Sequence, residues 1–450
     1  MCKEIIDYLL GKKIAILGFG MEGKSTYRFI RNYTDMPITI IDKNEVYDKN
    51  KELLEGDNNL NFVIGDEYLN NLEQYDLVIK SPGVITKDID TSNISFTSQL
   101  ELLLMVNKDH VIGITATKGK STTTSLTYEV LRANGIDAKI VGNIGKPIFD
   151  EIENMTKDTY MVVEMSALQL EFVTHSPHIA VILNLYEDHL DHAGTVEHYH
   201  ENKLQIFKHQ TVQDYAIYCS DIEPLNSYID DQYKARKYRV QMHNKDIDLH
   251  TTYIYKDMVY LNQKEIFDVN TELHLVGEHN IRNIMVVLTI SEIMELDLKK
   301  SIDAIKNFKP LEHRIEYVGK FDGVIYYNDS IATIPNATIS AIKALKNVDT
   351  LIFGGMDRGI DYSDFINFLD SGIVRNLICM PTTGYKIANK LKNKNINKYN
   401  VETLEEAVAK AREITNKDMI CLLSPAAASY EYFKNFEEKG RAYKNLVKNV

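Results

Sequence analysis

Twice the chain runs from a continuous apolar segment into a glycine-bearing turn and straight on into a helix. Ile14–Leu17 leads into GFGMEGKS at 18–25 and the helix-like STYRFIRNY. Val111–Ile114 leads into a second glycine turn and a helix from about Thr122 to Asn134, stopped by Gly135. Runs with no polar alternation are the pattern of strands covered on both faces, and strand–helix–strand order predicts a parallel sheet with ligands at the carboxyl ends of its strands. The first stretch continues with strands at Ile38–Ile41, ending at Asp42, and Leu77–Ile79, running into Ser81-Pro82-Gly83. The second continues with Tyr160–Val163 and Ala180–Leu183. Short Tyr- and Val-containing segments between about 215 and 275 read as antiparallel. A third stretch opens near Phe308-Lys309-Pro310, where the proline suggests a linker, and carries strands at Val324–Tyr327, Leu351–Phe353, Leu377–Cys379 and Ile420–Leu423. The expectation is an α/β protein of three domains, over 1–101, 102–310 and 311–450.

A chain of 450 residues, 44% hydrophobic and 26% charged, is ordinary for a folded protein of several domains. Its net charge of −13 argues against broad binding to nucleic acid or to an anionic membrane surface. It does not argue against nucleotides, because a phosphate site needs only local amides and one or two cations. Cys2, Cys219, Cys379 and Cys421 are scattered and read as buried thiols of a reducing compartment. The opening MCKEIIDYLLGKK is charged too early, and its apolar part is too short, for a signal peptide. No apolar run approaches the roughly 20 residues of a membrane helix. A cytoplasmic protein without membrane or nucleic-acid partners is expected.

The two glycine loops compete for ATP. Residues 18–25 match both GxGxxG, with Asp42 some twenty positions on, and GxxxxGK[ST]; residues 114–121, ITATKGKS, miss the latter because Ile114 stands at its first glycine. Context favours the second loop nonetheless. Strand, loop, helix and an acid closing the second strand make a dinucleotide-type, Rossmann-like arrangement, in which Lys24 and Ser25 are merely the first helical residues. The second loop keeps what phosphate chemistry needs: Gly119 for close backbone approach, amides at a helix N-terminus, the Lys120 cation and the Ser121 hydroxyl for Mg²⁺. The central domain is therefore read as P-loop ATPase-like with a mixed sheet, and the outer two as Rossmann-like. Taken alone, each loop is also compatible with a ligand-free strand–helix turn. Glu164, ending a buried strand, could offer Mg²⁺ a hard oxygen, although a strand-end Glu is more often a solvated rim residue.

The stretch TATKGKSTTT resembles the nucleotide loop of the Mur ligases, TGTxGKT/S, with Ala116 in place of a glycine. The resemblance continues through GNIG (142–145), EMSALQLE (164–171), NLYEDHLDH (184–192), ENKLQIF (201–207), GEHNIRN (277–283), EHR (312–314), NDSIAT (328–333) and SPAAASYEYFKNFEEKG (424–440). It covers all three domains in the family's order. The last segment, with SPG at 81–83, is similar to the D-glutamate-adding branch.

The resemblance implies an ATP-dependent amide ligase that adds glutamate to UDP-N-acetylmuramoyl-L-alanine through an acyl phosphate, in peptidoglycan precursor synthesis, acting as a monomer. Lys120, Lys203 and His189 are the implied catalytic residues. ATP is implied to meet Thr117, Lys118, Gly119, Lys120, Ser121, Thr122, Asn280 and Asn283, with Arg314 and Asp329 brought in by domain closure. Two Mg²⁺ are implied at Ser121, Glu164, His189 and Lys203, the lysine as a CO₂-derived carbamate. Gly18, Gly20, Asp42, Gly83 and Asn143 correspond to groups around the uridine-linked substrate, and Thr333, Arg358, Ser429 and Phe436 to groups around glutamate.

Two departures bear on the amino acid. D-glutamate ligases usually read NDSKAT where this chain has Ile331, and a lysine in GGxxKG where it has Arg358. Exchanging a point charge for a planar fork is not conservative at a carboxylate site. D-glutamate is the default expectation, and the alternative is an L-glutamate-adding variant. A dehydrogenase, a decayed nucleotide sensor and a folylpolyglutamate-synthase-like ligase are the rival readings. The first leaves Glu164 and Lys203 unexplained, the second sits poorly with the intact set of ligand types, and the third has no use for the first 100 residues.

Overall fold

The computed structural model describes every residue except 145, 187–194, 230–232, 244–248, 276, 310–311, 358–359, 430–431 and 450. The chain divides into two compact units: Met1–Leu273 with His279–Phe308, and His274–Glu278 with Lys309–Val450.

The first unit carries two sheets. One holds β1 Ile14–Leu17, β2 Ile38–Asp42, β3 Leu60–Ile64, β4 Leu77–Lys80 and β5 Phe96–Thr97, in the order β3-β2-β1-β4-β5 and parallel throughout. The other runs β14-β13-β12-β11-β10-β9-β6-β8-β7. Its strands are β6 Val111–Thr115, β7 Ala138–Gly142, β8 Tyr160–Glu164, β9 Ile179–Ile182, β10 Tyr215–Cys219, β11 Arg236–Gln241, β12 Thr251–Tyr255, β13 Met258–Leu261 and β14 Lys264–Asp268. β6, β8 and β9 are buried at nearly every position, as their unbroken apolar runs require.

One apolar core serves both sheets. It joins Ile5, Phe29 and Leu103 to Phe149, Ile152 and Met161, and the rings of Phe29 and Phe149 lie 4.2 Å apart. Residue 101 falls inside the helix Gln99–Asn107, whose leucines are buried in that core.

The second unit has one sheet in the order β15-β16-β20-β17-β18-β19. Its strands are β15 Glu316–Phe321, β16 Val324–Asn328, β17 Val348–Phe353, β18 Asn376–Cys379, β19 Asn397–Asn400 and β20 Ile420–Leu423. All pairs are parallel except β15 with β16. Apolar cores lie on both faces of this sheet.

The structure corrects one reading of the 215–275 region. β10, β11 and β12 extend the parallel sheet, with Tyr215 opposite Arg236 and Arg239 opposite Thr251; only β12–β13 and β13–β14 are antiparallel. Edge strands β3 and β19 were not anticipated. They are mostly exposed, so their sequences LNFVI and NKYN lack the apolar run that marks a buried strand. Cys219, Cys379 and Cys421 are buried thiols, whereas Cys2 is half-buried. Among the described residues no helix is long and apolar enough to cross a membrane.

Candidate active site

The second glycine loop is built by three strand ends. β6 lies between β8 and β9, with Ile114 opposite Glu164 and Thr115 opposite Ile182, so residues 115–121, Glu164 and Asn184 emerge on one edge of the sheet. The helix Lys120–Ala133 starts immediately after Gly119, whose φ of +93° suits glycine. A Cβ there would lie 3.0 Å from Asn283 Oδ1 and 3.1 Å from Leu183 Cδ1. Asn283 is thus packed on the loop, and its Nδ2 donates to Asn280 Oδ1 at 3.0 Å from the same helix, Glu278–Ile293. Lys120 Nζ donates to the carbonyls of Ala116 (2.9 Å) and Thr117 (3.1 Å), which keeps the ammonium over the loop. Lys118 and Ser121 are half-buried, and Thr122 is buried.

Asn184 does the bracing. Its Oδ1 accepts from the amides of Thr117 (3.1 Å) and Lys118 (2.9 Å), and its Nδ2 donates to Lys118 O at 2.8 Å. The asparagine of NLYEDHLDH thus holds the loop from a strand end more than sixty residues away, which its sequence context does not reveal.

Two buried side chains face this loop's surroundings. Lys203 is 1% exposed on the helix Val196–Lys208; its Nζ donates to Ala116 O at 2.8 Å and stands 4.8 Å above the Tyr199 ring. Glu164, also 1% exposed, accepts from Asn143 Nδ2 on Oε1 at 2.7 Å, while its Oε2 is buried without a hydrogen bond among the described residues. Asn143 therefore orients Glu164, a contact that its expected place near the uridine substrate did not suggest. His189 lies outside the described residues.

The first loop is organised differently. Asp42, at the end of β2, accepts from Phe19 N and Asn44 N, both at 2.8 Å, so its carboxylate fastens the glycine turn to the strand. A Cβ on Gly18 (φ +86°) would lie 2.6 Å from Val84 Cγ2, whereas Gly20 and Gly83 border open space. Lys24 and Ser25 lie within the helix Met21–Tyr33. Beside this loop, Glu22 accepts from Gln169 Nε2 (3.1 Å), and Lys80 pairs with Glu171 (3.3 Å), both inside the first unit. Burial pushes the Glu22 carboxyl up to about 7. Neither contact was anticipated, because each joins residues nearly 100 or more positions apart. At the opposite edge of the second sheet, Asp109, His178 and Asp214 converge, but Asp214 already accepts from Lys108, His178 and Thr211.

In the second unit, Asp329 follows β16. Its Oδ2 accepts from Ser424 Oγ (2.8 Å) and its Oδ1 from Ile315 N (3.2 Å). Burial raises its carboxyl to about 7, against the opposing pull of Ser424 and the Arg314 guanidinium. Arg314 is half-buried, and its Nε has no hydrogen bond among the described residues. Ser429 is 5% exposed, and its hydroxyl has no partner among the described residues. Phe436 opens the helix Phe436–Lys448, and its ring meets that of His313 at 6.2 Å. Thr333 is half-buried in the loop after Asp329, and Arg358 lies outside the described residues.

A glycine loop with a lysine folded over it, a buried strand-end carboxylate and a buried lysine gather at one edge of the sheet, an arrangement that suits nucleotide-dependent group transfer. Family models match each part of the chain: a MurD-like N-terminal domain of Mur ligases over 12–98, the Mur ligase middle domain over 114–291, and the Mur ligase glutamate ligase domain over 313–427. The chain belongs to the Mur ligase family. Within it, the chain is 34% identical to a UDP-N-acetylmuramoylalanine--D-glutamate ligase of Clostridioides difficile, over 98% of this chain and 99% of that one. It is 33% identical to the ligase of the same name from a Thermoanaerobacter species, over 98% of both. The fold is similar to that of the UDP-N-acetylmuramate-alanine ligase of Thermotoga maritima (TM-score 0.57, 17% identity, 96% and 98% covered). It is also similar to MurF of Acinetobacter baumannii (TM-score 0.62, 13% identity, 96% and 90% covered).

Proposed function

We propose that this chain is an ATP-dependent ligase joining D-glutamate to the alanine carboxylate of UDP-N-acetylmuramoyl-L-alanine in peptidoglycan precursor synthesis, in the cytoplasm and as a monomer. The observation that carries the reading is the full-length relationship to ligases of that name, together with Lys120, Glu164 and Lys203 gathered around one phosphate loop. We assign the uridine-linked substrate to residues 1–101, through Gly18, Gly20, Asp42, Gly83 and Asn143. ATP falls to 102–310 and glutamate to 311–450.

A carboxylate resists an amine at neutral pH because oxide is a hopeless leaving group. Transfer of the γ-phosphoryl group makes an acyl phosphate, the neutral amine of glutamate attacks its carbonyl, and phosphate leaves. Lys120 offsets charge on the transferring phosphoryl group, and the amides of residues 117–122 at the helix N-terminus hold the phosphates. Asn280 and Asn283 bound the nucleotide beside Gly119, and Arg314 and Asp329 are further ATP-binding groups.

The buried Oε2 of Glu164, without a partner among the described residues, and the Ser121 hydroxyl suit Mg²⁺, which would supply charge neutralisation on the phosphates. His189 would complete the metal groups. A carbamate on Lys203 fits its setting: the nitrogen keeps one N–H for Ala116 O, while the new group adds an anionic oxygen pair. Thr333, Arg358, Ser429 and Phe436 are assigned to the amino acid.

The test is phosphate release and product formation from ATP and UDP-N-acetylmuramoyl-L-alanine with D- and L-glutamate supplied separately. Product from L-glutamate alone overturns the stereochemical assignment. Product from neither removes glutamate from the proposal.

A further inference from the structure

The helix Phe436–Lys448 buries a lysine against the second unit's sheet. Lys439 is 2% exposed and among the described residues makes one hydrogen bond, from Nζ to Gly354 O at 3.1 Å. Among the described residues no carboxylate lies within ion-pair distance of it. A buried ammonium is costly unless an anion meets it, and a single carbonyl satisfies one of its three donors. Burial alone pulls this amine down to about 8, with no acidic neighbour pulling back.

Its surroundings hold further donors that have no hydrogen-bond partner among the described residues. Lys439 follows Phe436 by three positions, so both project from one face of the helix. Gly440 lies on the same face, and a Cβ there would sit 2.2 Å from His313 Nδ1 and 2.4 Å from Ser330 Oγ. His313 and Ser330 therefore abut the helix at the residue after Lys439. The Ser330 hydroxyl is fully buried and unpartnered. Asn328 Nδ2 donates to His313 Nδ1 at 2.9 Å, which leaves the proton on Nε2, also buried and without a hydrogen bond. On the other side, Gly354, whose carbonyl takes the lysine, leads into the backbone bridge in which Met356 N donates to Ala428 O at 2.9 Å. Ser429, with its own unpartnered hydroxyl, follows Ala428. One cation and several neutral donors make a donor set for a carboxylate; the nearby acids, Glu312 and Glu316, stand 3.9 Å from the His313 ring nitrogens and are already paired with Lys444.

We propose that Lys439 binds one carboxylate of the incoming glutamate and makes the site selective for an acidic amino acid. The inference rests on the glutamate-ligase reading above and adds to it a residue that looks, in the charged run FEEKGRAYKN, like a solvated surface lysine.

The test compares full-length wild type with Lys439→Met, using ATP, UDP-N-acetylmuramoyl-L-alanine and, in turn, glutamate, glutamine and isoglutamine. Wild type must first ligate glutamate; if it does not, the functional reading fails before this one is reached. Given that, Lys439→Met raises KM for glutamate by about 100-fold or more and leaves KM for ATP and for the uridine substrate within about threefold. It also loses the preference for glutamate over one of the two amides, and Lys439→Arg recovers most of the affinity. Lys439→Gln, which keeps a donor for Gly354 O without the charge, carries the same comparison should Lys439→Met not fold. An unchanged KM for glutamate with kcat alone reduced would overturn the proposal. So would an equal loss toward glutamate, glutamine and isoglutamine.

Discussion

Replacing Asp329 by asparagine should reverse the sign of its effect on stability between acid and neutral pH. The carboxyl is 4% exposed, and burial lifts it from 3.8 to about 7. A folded-state value above the unfolded one means that stability from this group is fully present below about pH 4 and is lost as pH rises toward 7. Each pH unit across that window costs about 1.4 kcal/mol, so the ionised group costs the fold about 4 kcal/mol at pH 8. Asparagine keeps the shape without the charge, but it offers one acceptor where Ser424 Oγ and Ile315 N use two. That lost bond costs about 1–2 kcal/mol at any pH. The variant should therefore be less stable than wild type by roughly 1–2 kcal/mol at pH 4, equal near pH 5, and more stable by roughly 2–3 kcal/mol at pH 8. The measurement is calorimetric melting of ligand-free protein at constant ionic strength across that range, taken as the difference between variant and wild type so that other titrating groups cancel. Ligation by the stabilised variant should nonetheless fall by about 100-fold, because the carboxylate is lost from the site. A stability difference that does not vary with pH would refute the reasoning. A variant less stable at pH 8 would mean that Arg314 and Ser424 already satisfy the charge.

Four further substitutions test the placement of the nucleotide and its metal groups. Lys120→Ala should abolish ligation with little loss of uridine-substrate affinity, whereas Lys24→Ala should leave catalysis intact; phosphate release and titration calorimetry separate the two, and the reverse pattern would move ATP to the first loop. Lys203→Ala should lose most activity, and added short carboxylic acids should restore part of it by standing in for the carbamate. Rescue by amines, or full activity, would make Lys203 a packing residue. Asn184→Ala removes acceptors from the amides of Thr117 and Lys118 and should weaken ATP binding by about tenfold, close to the net worth of one hydrogen bond; unchanged ATP affinity would mean that the loop holds its shape without the brace.

The sequence by itself carried everything that depends on neighbours along the chain. Strands at the centre of each sheet were legible because residues such as Ile14–Leu17, Val111–Thr115 and Ile420–Leu423 are buried on both faces and must be apolar throughout. The different settings of the two glycine loops were legible as well, since each loop leads directly into a helix whose first residues the sequence shows. The edge strands β3 and β19 were not, because exposure relaxes their composition, and the direction of β11 was set by pairing with β10 and that of β12 by pairing with β11.

Only the tertiary structure decided what the polar groups do once buried. It turned Asp42 into a clasp for its own loop, Asn184 into a brace and Asn143 into a partner for Glu164, and it buried Lys439 away from any described acid. These roles escape a linear reading because the partners lie 21 to 85 residues apart. The free energy of a polar group is set by whether burial leaves it a partner, and only the fold determines that.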